Sequence, residues 1–294
     1  MKAIKALVKS HPVVSYFALV FAISWGGVLT VVGVGPGGFP GTKEQSEMLF
    51  PFVYLAMLVG PSVTGIVLTG LLYGRSGLRE LLSRLLKWRV GARWQAVAIL
   101  TAPLLYIAVL LVLALASPVF LPGIFVSDEK PTLLLFGIAV GLGAGFFEEL
   151  GWTGFAVPTL LRLRHGVLGT GLIVGVLWGA WHFLTTFWGS GTASGALSLA
   201  IFVPGVLFAV GILPAYRVLM VWVYDRTNGS LLVAMLMHAS LTASMLILGP
   251  LATGAALATY ILVLAAALWV VVGAVAVAND GHLTRQPPLR RRVA

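Results

Sequence analysis

Cysteine is absent from all 294 residues. Disulfide frameworks, thiolate metal sites and cysteine nucleophiles are therefore excluded, while the redox compartment stays unread. Charge is nearly as scarce, at 10% of the chain against 59% hydrophobic residues, whereas a soluble domain carries about a quarter charged residues. Internal repeats are missing too, as are linkers long enough to separate domains, and the one biased tract is a short Pro/Arg tail. Long uncharged runs fill the chain instead, and about 20 apolar residues cross the hydrocarbon core as a helix. The expected fold is all-α, a polytopic membrane helix bundle.

Eight spans are predicted, over residues 13–34, 49–73, 95–116, 132–157, 167–188, 196–223, 230–248 and 251–277. The start, with Lys2, Lys5 and Lys9 before an apolar run, resembles a secretory leader. The run is too long for one and no small-x-small cleavage site follows, so the first span is expected to stay attached. Residues 1–12 read as a cytoplasmic N-terminus, 13–277 as one membrane-embedded domain, and 278–294 as a disordered basic cytoplasmic tail.

The net charge of +10 is explained by where it sits. Seventeen of the nineteen lysines and arginines fall on alternate loops and span ends, leaving only Lys43 and Lys130 on the other side. Cytoplasmic loops collect such residues, so both termini are placed in the cytoplasm, in the plasma membrane. Basicity here marks topology, and no nucleic-acid partner is expected. The stretch 77–90 sets leucines at helical spacing among arginines. It suits the anionic inner leaflet, and equally a solvated cytoplasmic helix.

Against this background four titratable residues stand in the wrong solvent. Seven of the nine acidic residues lie in loops or at span ends, but Glu148 and Glu149 follow an uncharged run from Pro131 to Phe147. His182 and His238 lie inside spans five and seven, while His11, His165 and His282 lie in loops. Arg217 is assigned to its span end, snorkelling to the inner surface. A carboxylate near a helix centre costs about 2.5–3.5 kcal/mol on insertion scales, so such residues face a polar interior and act there. Counting 1.5 Å per residue puts His182 roughly 22 Å, His238 roughly 12 Å and Glu148 roughly 21 Å from the inner boundary. Helix tilt of about 20° could bring them together.

Neighbours on a helix project about 100° apart, so Glu148 and Glu149 cannot aim at one point. One is expected to face a cavity and the other to hold a partner helix or backbone group. Gly171, Gly175 and Gly179 make a small-xxx-small face on span five, read as packing only, with a close approach able to bring His182 towards span four. Trp152, Trp178, Trp181 and Trp188 are read as shaping the cavity and the interfacial belt rather than doing chemistry. A structural role, in which each histidine holds a carbonyl and the glutamates glue helices, is the plain alternative for these groups taken singly.

Three stretches carry a resemblance: "FFEELGWTGFAVPTLLRL", "VLWGAWHFLTTFW" and "VYDRTNGSLLVAMLMHASLTAS". Together they resemble the CAAX-protease and bacteriocin-processing (CPBP, or Abi) intramembrane proteases. That family shows a Glu-Glu-x-x-x-Arg, a Phe-x-x-x-His and a His-x-x-x-Asn motif, each on its own helix. The resemblance covers roughly 130–250, with the motifs within 146–242, and the family fold is consistent with eight spans. It implies a catalytic Glu148 that activates water, a companion Glu149, a His182 that works with that glutamate, and a His238 that stabilises the oxyanion. Trp152, Thr153 and Trp178 are expected to bind substrate. The implied partners are the lipid bilayer and a membrane-associated protein or peptide, prenylated in the best-known cases. Both metalloprotease and metal-free mechanisms have been proposed for the family.

Three positions depart from the pattern. Thr153 stands where the motif has Arg, Trp178 where it has Phe, and Thr242 where it has Asn. Thr242 lies one turn beyond His238, and its hydroxyl can still donate a hydrogen bond, so it joins the expected catalytic set. Amide hydrolysis needs an activated water and a donor for the developing oxyanion. Glu148 beside a histidine suits the first need, and His238 with Thr242 the second. Glu148, His182 and His238 equally match a zinc site with an open position, so a divalent metal such as zinc and a metal-free mechanism both stay open. Thr153 and Thr242 also keep in view a member that has lost activity and serves as a chaperone or complex partner. A proton-coupled transporter is a third reading, disfavoured by the lack of an inverted repeat or paired broken helices.

Overall fold

The computed structural model describes residues 2–33, 39–279 and 283–284. Nearly all of the basic tail expected over 278–294 lies outside these, as do Asp280 and His282. A short helix, α1 (Lys2–Ser10), leads into α2 (Pro12–Val32), α3 (Lys43–Leu85), α4 (Ala92–Ala114), α5 (Lys130–Arg162), α6 (Gly166–Trp188), α7 (Leu199–Arg226), α8 (Leu231–Leu248) and α9 (Gly254–Val277). Among the described residues, α2 to α9 are the eight helices long and apolar enough to cross a membrane. No strand is present among them.

Local chemistry explains the boundaries. Thr42 and Gln45 form a reciprocal capping box at the start of α3, satisfying two backbone donors that the first turn would otherwise leave unpaired. Ser230 accepts from Val233 N–H at the start of α8 and donates its hydroxyl to the Lys87 carbonyl at 2.6 Å, tying the basic segment to this helix. α3 outruns its predicted span. It turns at Gly74, where φ is 62°, a conformation cheap only for glycine. It then continues as the amphipathic arginine stretch, which is therefore helical to Leu85.

Both π-helical turns precede a proline. Residues Trp152–Ala156 lie just before Pro158, and Phe208–Ile212 just before Pro214. Proline has no N–H for the carbonyl one turn back, so the regular ladder breaks there. The freed Gly154 carbonyl accepts instead from Arg84 Nη2 at 2.9 Å.

Glycines set the tightest approaches. A Cβ at Gly141 or Gly145 on α5 would strike the carbonyls of Ala239 or Met235 on α8. On α6, Gly171, Gly175 and Gly179 lie against Val218, Pro214 and Ala209 of α7. The α6 glycine face thus docks on span six, not on span four as its edge position near His182 suggested. Span four reaches the site through its own glycines and α8. Outward-facing residues such as Leu135, Val270 and Val112 are more than 60% exposed in the isolated chain, as expected where lipid tails are the solvent.

Candidate active site

The π-turn at 152–156 begins three residues after Glu149, and Trp152 and Thr153 at its start bond back to the glutamate pair. Trp152 Nε1–H donates to Glu148 Oε2 at 3.2 Å, and the Thr153 hydroxyl donates to Glu149 Oε2. From here the two carboxylates diverge. Glu149 is fully buried and accepts from Arg217 Nη1 on both oxygens at 2.8 Å. Its Oε1 also accepts from His238 Nδ1 at 2.7 Å. With three donors across two oxygens, Glu149 is saturated.

Glu148 makes the other kind of site. Its Oε2 takes two indole N–H groups, from Trp152 and, at 2.9 Å, from Trp178 on α6. His238 Nε2 stands 3.9 Å from the same oxygen. Glu148 also lines a cavity of about 740 Å³, together with His182, His238, Thr242, Trp178 and Tyr54. The bands of residues along α3, α7 and α9 that complete its wall are chiefly apolar.

The hydrogen bonds settle the imidazole tautomers. A carbonyl oxygen only accepts, so His182 Nδ1–H donates to Trp178 O at 2.9 Å, leaving Nε2 as the atom available to the cavity. A saturated carboxylate likewise only accepts, so His238 Nδ1–H donates to Glu149. Rings hold both imidazoles in place: Trp181 lies 4.7 Å from His182 and Trp178 4.8 Å from His238, each edge-on.

Arg217 is the residue the sequence reading misplaced. It does not snorkel to the inner surface. Its side chain is fully buried, paired with Glu149, and its guanidinium lies 4.1 Å from the Trp178 ring centroid. Nine residues separate it from Arg226 at the helix end, or about 13 Å along the axis, too far for an arginine to reach the interface. That distance was the available signal. The motif-one cation missing at Thr153 is thus supplied from α7, and it faces a ring as well as a carboxylate. Its Nε and Nη2 have no hydrogen-bond partner among the described residues.

Two of the three residues expected to bind substrate do not reach the cavity. Trp152 and Thr153 are buried behind the carboxylates and serve as donors to them. Trp178 does line the cavity, and so does Thr242, one turn beyond His238. As for a metal, no group of three His, Asp or Glu side chains among the described residues could hold an ion. The hydrogen bonds to Nδ1 of each histidine and to Glu148 Oε2 leave both Nε2 atoms and Glu148 Oε1 uncommitted, the usual state of groups that can ligate an ion. The zinc set of Glu148, His182 and His238 is nonetheless not gathered as such a group among the described residues, and the chemistry proposed for these residues uses no metal.

Comparison with known proteins falls on the same stretch of the chain. Residues 130–244 match the family described as type II CAAX prenyl endopeptidase Rce1-like. The chain is also 29% identical over 114 residues to CAAX prenyl protease 2 of Methanococcus maripaludis, an overlap of 39% of each chain. The chain thus spans about two-fifths of the length of that curated relative. The matched stretch runs from the start of α5 to the fourth turn of α8 and contains Glu148, Glu149, His182, Arg217, His238 and Thr242. Over residues 130–244, which build this site, the chain is similar to the type II CAAX prenyl endopeptidases.

Proposed function

We propose that the protein is an intramembrane endopeptidase that hydrolyses a peptide bond of a membrane-associated polypeptide with a water activated by Glu148. One observation carries this reading. Of two adjacent buried carboxylates, one is saturated, while the other lines a cavity whose wall also presents two histidines and a hydroxyl.

The residues divide the work as follows. Two indole donors on Oε2 orient Glu148, and its Oε1 accepts the proton of the attacking water. His182 Nε2, an acceptor in the tautomer its carbonyl contact imposes, holds the second hydrogen of that water. The oxygen adds to the scissile carbonyl carbon, and the oxyanion is met by the Thr242 hydroxyl and by His238 carrying a proton on Nε2 as well. Glu149 and Arg217 position that ring and balance its charge. As the carbonyl re-forms, the C–N bond breaks and the proton held on Glu148 passes to the leaving amine. A cell membrane with both termini in the cytoplasm is the setting this reading assumes.

The test is cleavage of a fluorogenic prenyl-peptide and membrane-peptide panel by purified protein in liposomes. Glu148→Gln is expected to lower kcat by about 10²- to 10⁴-fold, the usual contribution of a positioned base, without lowering the melting temperature. Unchanged cleavage would sink the reading. Chelator is expected to leave wild-type activity intact, and its loss on chelation would move the chemistry to a metal.

A further inference from the structure

The cavity has a direction. On every long helix that lines it, the lining residues occupy the same end of the bundle. They run from Ser46 to Leu58 on α3, from Val140 to Glu148 on α5, from Trp178 to Gly189 at the end of α6, and from His238 to Gly249 at the end of α8. On α9 they run from Leu257 to Leu264, again the half nearest the loop that follows α8. One turn past Glu148 the bundle is closed. Trp152 is fully buried there, with Tyr16 and Phe17 of α2 against it at 5.6 Å. Arg217, Tyr216 and Met237 are buried at the same level.

The two ends of the bundle also differ in charge. The closed end carries the arginine-rich segment from Arg75 to Arg93, together with Lys5, Lys9, Arg162, Arg164 and Arg226, against Glu80 and Asp225. At the mouth end stand Glu44, Glu47, Asp128 and Glu129 against only Lys43 and Lys130. Moving Arg217 from the inner surface to the site leaves this asymmetry in place. Lysine and arginine accumulate on the cytoplasmic side of short loops, which assigns the basic, closed end to the cytoplasm.

We propose that the catalytic cavity opens on the extracytoplasmic side of the membrane, so that its substrate is an exported polypeptide or one held in the outer leaflet rather than a cytoplasmic chain. A shallow groove at the mouth fits an extended peptide on that side. It is lined by Lys43, Glu47, Phe136, Thr192 and Ser198, and shares Ser46, Phe50, Gly189 and Ile201 with the cavity. Within the groove Lys43 and Glu47 pair at 3.8 Å, and the mouth end as a whole, with four carboxylates against two lysines, favours a neutral or basic segment over an acidic one. The substrate half of the proposal rests on the peptidase reading, while the side of the opening rests on charge and shape alone.

The cysteine-free chain makes the test direct. Single cysteines are placed at exposed Ser194 and exposed Ala193 in the mouth loop and at exposed Ser83 in the basic segment. The full chain is expressed in bacterial spheroplasts and treated with a membrane-impermeant maleimide before and after permeabilisation. Ser194→Cys and Ala193→Cys are expected to react before permeabilisation, and Ser83→Cys only after it. The reverse pattern, or labelling of all three from outside, overturns the proposal. In the same spheroplasts an impermeant reporter-peptide panel is added outside, with Glu148→Gln as control. Glu148-dependent cleavage supports the substrate half. Outside labelling without such cleavage overturns the substrate half while the orientation stands.

Discussion

Glu148 and Glu149 share a peptide bond and almost nothing else. Glu149 sits in a closed polar cluster drawn from α5, α7 and α8, with Thr153, Arg217 and His238 filling its acceptor positions. Glu148 sits at the floor of an open cavity with indole donors on one oxygen only. The contrast explains why a pair is needed. A buried imidazole that is to face substrate must be held from behind, and a group that holds it cannot also exchange protons with water. On the proposed mechanism, two neighbours about 100° apart on one helix divide those tasks without a second helix having to supply the base.

If this division is right, the two carboxylates must respond differently to substitution around them. Glu148→Gln is expected to lower kcat by about 10²- to 10⁴-fold yet leave thermal unfolding nearly unchanged, because the amide oxygen still accepts from both indole N–H groups. Arg217→Met attacks the other side. Removing one partner of a buried pair costs about 3–5 kcal/mol, so the melting temperature in detergent should fall steeply, with cleavage falling alongside as His238 loses its anchor. The double variant Glu149→Gln with Arg217→Met should lose much less stability than the two single losses would sum to, since both remove one interaction. Additive losses would show that Arg217 acts elsewhere.

Smaller changes probe the assignment on the cavity side. Thr242→Val keeps the shape and removes the hydroxyl. Loss of one oxyanion donor costs about 10²- to 10³-fold in kcat, and KM should hardly move. Trp178→Phe restores the ring type that the family motif has at this place and removes one donor to Glu148. A hydrogen bond to a charged group contributes about 1.5–3 kcal/mol, so a loss of about 10- to 100-fold is expected. A Trp178→Phe variant as active as wild type would show that Trp152 alone suffices to orient the base.

The spans and the identity of the candidate groups were legible in the chain because both follow from the solvent. Hydrocarbon thickness sets how long an apolar run must be, and a carboxylate or imidazole within such a run is conspicuous whatever surrounds it. The departures at Thr153, Trp178 and Thr242 were visible as well. What escaped was the source of the missing cation. Arg217 lies on a different helix from Thr153, 64 positions further along, and only packing reveals that the two approach one carboxylate. The glycine face of α6 escaped for the same reason: its small residues announce a close neighbour without saying which.

Eight apolar runs, with two glutamates and two histidines where a bare charge is costly, are written in the chain itself. They are local properties, set by each segment's transfer from water to lipid. Packing alone fixed that Glu149 is locked by Arg217, that Trp152 and Thr153 stand behind the cavity, and that the cavity opens at one end of the bundle. Each of these depends on which helix faces which. That choice is made by glycine contacts and by the pairing of one buried charge with another, across distances in the chain that no periodicity records.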